Sequence, residues 1–102
     1  MKKMVHDWDN QGRALLGAEY CEIGNFKEGT IVVFQRVSDK KFRIIPKEKA
    51  EGEVILRAEA KIDQKYRFFI PAVLRRNYKN DFELTFSKKE KCFFVKFADF
   101  AE

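Results

Sequence analysis

The sequence predicts a mostly β fold with short helices, built from two tandem repeats in one chain, and three observations predict it. Apolar and polar residues alternate over short segments bounded by turn formers, the period of half-buried strands; Phe82-Glu83-Leu84-Thr85-Phe86 is the clearest case. The segments with helix signals, 18–23 and 72–76, are only about a turn or two each, too short to persist without tertiary support. The chain also resembles itself. Asp9 to Ala18 aligns with Asp63 to Ala72 at an offset of 54. After a two-residue deletion the offset becomes 52, so that Thr30, Val32 and Phe34 fall on Phe82, Leu84 and Phe86, and Phe42 falls on Phe94.

The elements follow in order. Residues 4–8 read as a strand and Asp9 to Gly12 as a turn, with Asn10 and Gly12 as turn formers. Arg13 to Leu16 is a strand, and Ala18 to Ile23 a short helix closed by Gly24-Asn25 in the C-terminal position that glycine favours. Thr30 to Val37 is rich in β-branched residues; Ser38 to Lys41 turns, Phe42 to Ile45 returns as a hairpin, and Pro46 stops it. Lys47 to Gly52 is a charged connector.

The second repeat opens with a strand over 54–62, in which Val54, Leu56, Ala58, Ala60 and Ile62 share one face. A tight turn leads to Phe68-Phe69-Ile70, three β-formers in a row. Pro71 ends that strand and pre-sets the backbone for the first position of a helix over Ala72 to Arg76. Phe82 to Phe86 and Cys92 to Phe97 are the last two strands, joined by a turn at Ser87 to Lys91, and Phe100 covers the end.

At 102 residues the chain suits one domain, with repeat one over 1–46, a connector over 47–52 and repeat two over 53–102. A copy of about 45 residues cannot easily bury its own apolar faces, so the copies are expected to share a core. Apolar residues make up 45% of the chain, and 11 Phe make that core strongly aromatic. Cys21 and Cys92 fit neither a disulfide framework nor a metal motif, and read as buried thiols of a reducing, cytoplasmic compartment. No apolar run reaches the length of about 20 residues that a membrane span needs. The N-terminus continues as His6-Asp7-Trp8-Asp9, which is no signal-peptide core.

Net charge is +5, and its location matters more than its size. Between Arg57 and Lys79 basic residues stand at 57, 61, 65, 67, 75, 76 and 79, against only Glu59 and Asp63. Such a concentrated patch suits a polyanionic partner. His6 is the only histidine, and there is no HExxH, no phosphate-binding glycine loop and no nucleophile–base pair to assemble, so no enzyme, cofactor, metal site or small-molecule substrate is expected.

Lys61, Ile62, Asp63, Arg67, Ile70, Pro71, Leu74, Arg75 and Arg76 together resemble the core pattern of the AbrB-like and MraZ-like swapped-hairpin DNA-binding family. That pattern runs basic, aliphatic, Asp, two variable residues, Gly-Arg, two apolar residues, Ile/Val-Pro and a short helix ending in Arg. The match covers 16 residues. The copies depart from it in complementary places: the first keeps Gly12 before Arg13 but has Gly17 for Pro, and the second has Tyr66 for Gly but keeps Pro71.

The resemblance implies a swapped-hairpin β-barrel and a non-catalytic regulator of transcription that binds double-stranded DNA, as a homo-oligomer where needed. It also implies the contacts: Arg67 after the turn, Lys61 before the Asp, Arg75 and Arg76 on the helix, and Arg13 in the first repeat, with Lys65 adding a phosphate contact. Asp9 and Asp63 are turn caps by type. A structural salt bridge from Arg67 to Asp63 is the competing role for that arginine. At the places of Lys61, Lys65, Arg75 and Arg76 the first repeat has Asp7, Gln11, Cys21 and Glu22, so Arg67 is expected to matter more than Arg13.

Two rival readings differ in class. Lys91 to Phe97 has a faint likeness to the aromatic strand of an RNA-recognition motif, but Cys92 and Phe94 stand where glycines are needed, which favours a core strand. The other is a small protein-interaction module, antitoxin-like or inhibitory, that binds an acidic protein partner. The chain ends five residues after Phe97, which reads against a wrapping antitoxin tail.

Overall fold

The computed structural model describes the backbone of residues 3–6 and the whole of residues 12–101. The chain is mostly β. Its strands are β1 (Lys3–His6), β2 (Arg13–Leu15), β3 (Ile31–Arg36), β4 (Lys41–Pro46), β5 (Glu59–Lys61), β6 (Arg67–Phe69), β7 (Phe82–Ser87) and β8 (Cys92–Phe97). Two short helices, α1 (Ala18–Gly24) and α2 (Ala72–Asn77), each follow one of the three-residue strands β2 and β6.

Six strands form one sheet in the order β1-β7-β8-β4-β3-β5, and β2 and β6 form a separate two-stranded ribbon. Every named pair is antiparallel. The two halves of the chain interleave: β1 pairs with β7, β5 with β3, β2 with β6 and β4 with β8. β1 and β5 are the sheet's edges, so the closed barrel implied by the resemblance is not formed by strand pairing among the described residues.

One apolar cluster draws on both halves. Its aromatic contacts run largely between them: Tyr20 stacks on Phe86 at 5.2 Å, Phe26 meets Phe93 at 5.0 Å, Phe34 meets Phe68 at 6.0 Å, and Phe42 meets Phe97 at 6.0 Å. Burying one such ring contributes about 1.5–3 kcal/mol, and neither half can collect that alone.

Several expectations are corrected. The strand over 54–62 shrinks to Glu59–Lys61. Ala58, Ala60 and Ile62 are buried as expected, but Val54 and Leu56 are exposed, Leu56 at 81%. Arg57 takes φ 62°, a left-handed turn that breaks the alternation. Ile55 docks instead, donating its N–H to the Phe34 carbonyl at 2.8 Å and packing on the core.

The offset of 52 fails at the last strand. Phe42 lies in the core cluster, but so does Phe93, whereas Phe94 points to the other face under Lys41 and Arg43, 4.9 and 5.6 Å from its ring. A slip of one residue reverses every side chain of a strand.

The helix ends differ as well. Asn25, not Gly24, takes the left-handed cap at φ 62°, and its N–H returns to the carbonyls of Cys21 and Glu22. Pro71 precedes the first helical residue instead of occupying it, at φ −55° and ψ 141°. Phe100 bridges to Tyr78 and stacks on its ring at 5.3 Å but stays half-exposed. Of the first expected turn only Gly12 is described; Asp9 lies outside the described residues.

Candidate nucleic-acid interface

The β2/β6 ribbon organises the basic residues. Its register sets Arg13 opposite Phe69, Ala14 opposite Phe68 and Leu15 opposite Arg67. Ala14 and Phe68 are buried, so alternation turns Arg13, Leu15, Arg67 and Phe69 to the outer face. Leu15 is 49% exposed and Phe69 55%. Two further bonds extend the ladder, Leu16 N–H to Tyr66 O at 2.9 Å and Ile70 N–H to Gly12 O at 2.7 Å.

The turn into β6 is held by Asp63. One carboxylate oxygen accepts the backbone N–H groups of Lys65 at 2.8 Å and Arg67 at 2.9 Å, and the other accepts Arg67 Nε at 2.9 Å. Burial pushes the Asp63 carboxyl up, but the N–H donors of Arg67 and Lys65 and the Arg67 guanidinium outweigh it and hold it below its ordinary value. The cap expected of Asp63 and the competing Arg67–Asp63 salt bridge are both present. Tyr66 sits at φ 60° where Gly12, its counterpart, has φ 81°. That conformation costs a residue with a Cβ about 1–2 kcal/mol, and here the Tyr66 ring packs against the core.

Arg75 reaches back from α2 to the opposite end of the ribbon. Its Nε donates to Ile70 O at 3.0 Å. A Cβ on Gly12 would lie 2.6 Å from Arg75 Nη1 and push that side chain aside, and the φ of 81° there favours glycine in its own right. Arg75 therefore abuts the Gly12-Arg13 end of β2. Arg76 is exposed in the last turn of α2, Lys65 is exposed in the turn, and Lys61 is exposed on β5 opposite Ile31.

The antiparallel ribbon thus recombines the repeats. Arg13 of the first half shares an end with Arg75 of the second, and the Tyr66-Arg67 end lies by α1, where Tyr66 borders a cleft of about 230 Å³ with Cys21, Glu22, Lys27 and Glu28. Both cysteines are buried and free; burial pushes the Cys21 thiol up to about 12 and also raises that of Cys92, which favours the neutral thiol in each.

Sequence reasoning missed Leu15 and Phe69. The signal was present in Phe68-Phe69-Ile70: in a strand the middle residue must face away from its neighbours. Among the described residues no group of acidic, His and Cys side chains could hold a metal, and no helix is long and apolar enough to cross a membrane. No family model, curated protein or solved structure matches this chain.

Proposed function

We propose that this chain is a double-stranded DNA-binding regulator of the AbrB-like type, acting without catalysis through the ribbon and α2. The observation that carries the reading is the meeting of Arg13, Arg67 and Arg75 on one short ribbon and the helix abutting it, with Lys65 and Arg76 alongside. Arginines neutralise phosphates, release counterions and grip guanine edges in a way lysines match less well. The fold part of the reading is a swapped hairpin formed by two repeats in one chain. The pairing of each half's first strand with the other half's hairpin supports it.

A mobility-shift titration with mixed-sequence duplex, repeated with heparin as competitor and at several salt concentrations, tests the function. Binding is expected to weaken with salt. Replacing Arg75 and Arg76 by Ala is expected to weaken all sequences and to reduce the salt slope by about one unit for each phosphate no longer neutralised. Unchanged affinity with the fold intact by circular dichroism would sink the reading. The second reading, a module for an acidic protein, is favoured by the exposed apolar residues Val54 and Leu56 ahead of β5.

A further inference from the structure

Phe69 stands out among the aromatic residues. Eight Phe side chains are fully buried. Of the described Phe residues that are more than half exposed, Phe100 stacks on Tyr78 and has the Lys40 ammonium 5.5 Å from its ring, whereas among the described residues no such ring contact involves Phe69. It is not on a ragged loop: the β2/β6 ladder fixes its backbone, and the Ile70-to-Gly12 bond clamps the next residue. Arg13 lies directly across from it, and Arg75 sits at the same end of the ribbon against Gly12. Leu15 shares its face one pair away. The result is an apolar projection held by the ladder, at the end of the ribbon that also carries Arg13 and Arg75.

An exposed apolar ring at a basic end of the ribbon is mismatched to water and to a plain phosphate surface, but it fits a polyanion that has an apolar interior to offer. A DNA base step is such a site: arginines engage the groove and backbone while Phe or Leu enters between bases, unstacking them and kinking the duplex. Resting on the DNA-binding reading above, we infer that Phe69 is a wedge that inserts into a base step from the minor groove and bends the duplex, with Arg13 and Arg75 holding the flanking backbone and Leu15 packing beside it. The larger aromatic face of Phe69, 55% exposed, favours it over Leu15, 49% exposed, as the inserting residue. The inserted step should be a flexible one, TA or CA/TG, because these are cheapest to unstack.

The test uses the full chain and a duplex of about three helical turns with one central TA step, dye-labelled at both ends and carrying 2-aminopurine beside that step. Binding is expected to bring the ends closer, by a kink within roughly 20–90°, and to brighten the 2-aminopurine. Phe69→Ala, a surface change, should lose both signals and weaken binding roughly 5- to 150-fold, the range for losing one aromatic stack on a base, with the salt slope unchanged. Phe69→Trp should keep both signals, and replacing Arg75 and Arg76 by Ala should lower the salt slope but leave the residual complex bent. A bound duplex that stays straight, or one bent equally by Phe69→Ala, overturns the wedge and leaves the DNA reading standing. Absence of any DNA binding, or capture of an acidic protein through Phe69 instead, overturns both.

Discussion

The two ends of the β2/β6 ribbon are built from corresponding residues and have different neighbours. At one end Gly12 lies against Arg75 of α2, with Arg13 next in the strand; at the other Tyr66 adjoins α1, where Cys21 is buried and Glu22 exposed. The interior positions barely differ: Ala14 and Phe68, Leu16 and Ile70, Tyr20 and Leu74 are buried in both. The lesson is that shared packing holds the two halves in one arrangement while their surfaces diverge, and that crossing strands can assemble one charged end from both halves. Cys21 shows how: apolar packing has replaced a place where the second half holds a cation.

The largest test breaks the comparison outright. If the halves depend on each other's rings, fragments 1–50 and 51–102 should each be unfolded alone by circular dichroism and regain β structure when mixed. A fragment that melts cooperatively by itself would make the halves independent modules.

Next in size is the packing of Phe34 on Phe68, whose rings lie 6.0 Å apart across the halves. Each Phe→Ala change should cost about 3–5 kcal/mol in denaturant unfolding. Because the two rings share one interface, the double variant should be destabilised by less than the sum of the single changes, and simple additivity would mean that the halves pack separately there.

A smaller effect compares the two arginines. Reading along the chain favours Arg67 over Arg13, but α2 brings Arg75 to Gly12, beside Arg13 in sequence, rather than to the Arg67 end. Because Arg75 adds its charge at the Arg13 end, Arg13→Ala is expected to weaken duplex binding at least as much as Arg67→Ala, by about 1–3 kcal/mol if it contacts a base edge. Arg13→Ala and Arg75→Ala should be non-additive. Titrations of the single and double variants decide it, and a dominant loss from Arg67→Ala would restore the second half as the sole reader.

The smallest concerns pH. The Asp63 carboxyl is held below its ordinary value of 3.8, so its contribution is present in full above that value and is lost as pH falls through the lowered one. Asp63 and Arg67 are both partly solvated, which keeps the gain modest. The stability gap between the protein and Asp63→Asn should narrow as pH drops below about 4; a gap that persists into strong acid would assign the turn's stability to its backbone alone.

Local chemistry was legible in the sequence. The Asp63 cap, the hairpin turns and the two short helices after the ribbon strands were readable because each depends on residues within about four positions of one another. The basic residues of the candidate site could likewise be named from the chain. What only the tertiary structure decided depends on long-range register. The left-handed Arg57 removes Val54 and Leu56 from the core face, and pairing of β4 with β8 turns Phe93 inward and Phe94 outward. The sheet's edges stay apart, and the antiparallel ribbon brings Arg75 to Arg13 while leaving Phe69 in solvent. A period of two says that residues alternate between faces, but which face is buried follows from the strand across the ladder, which the neighbouring sequence does not contain.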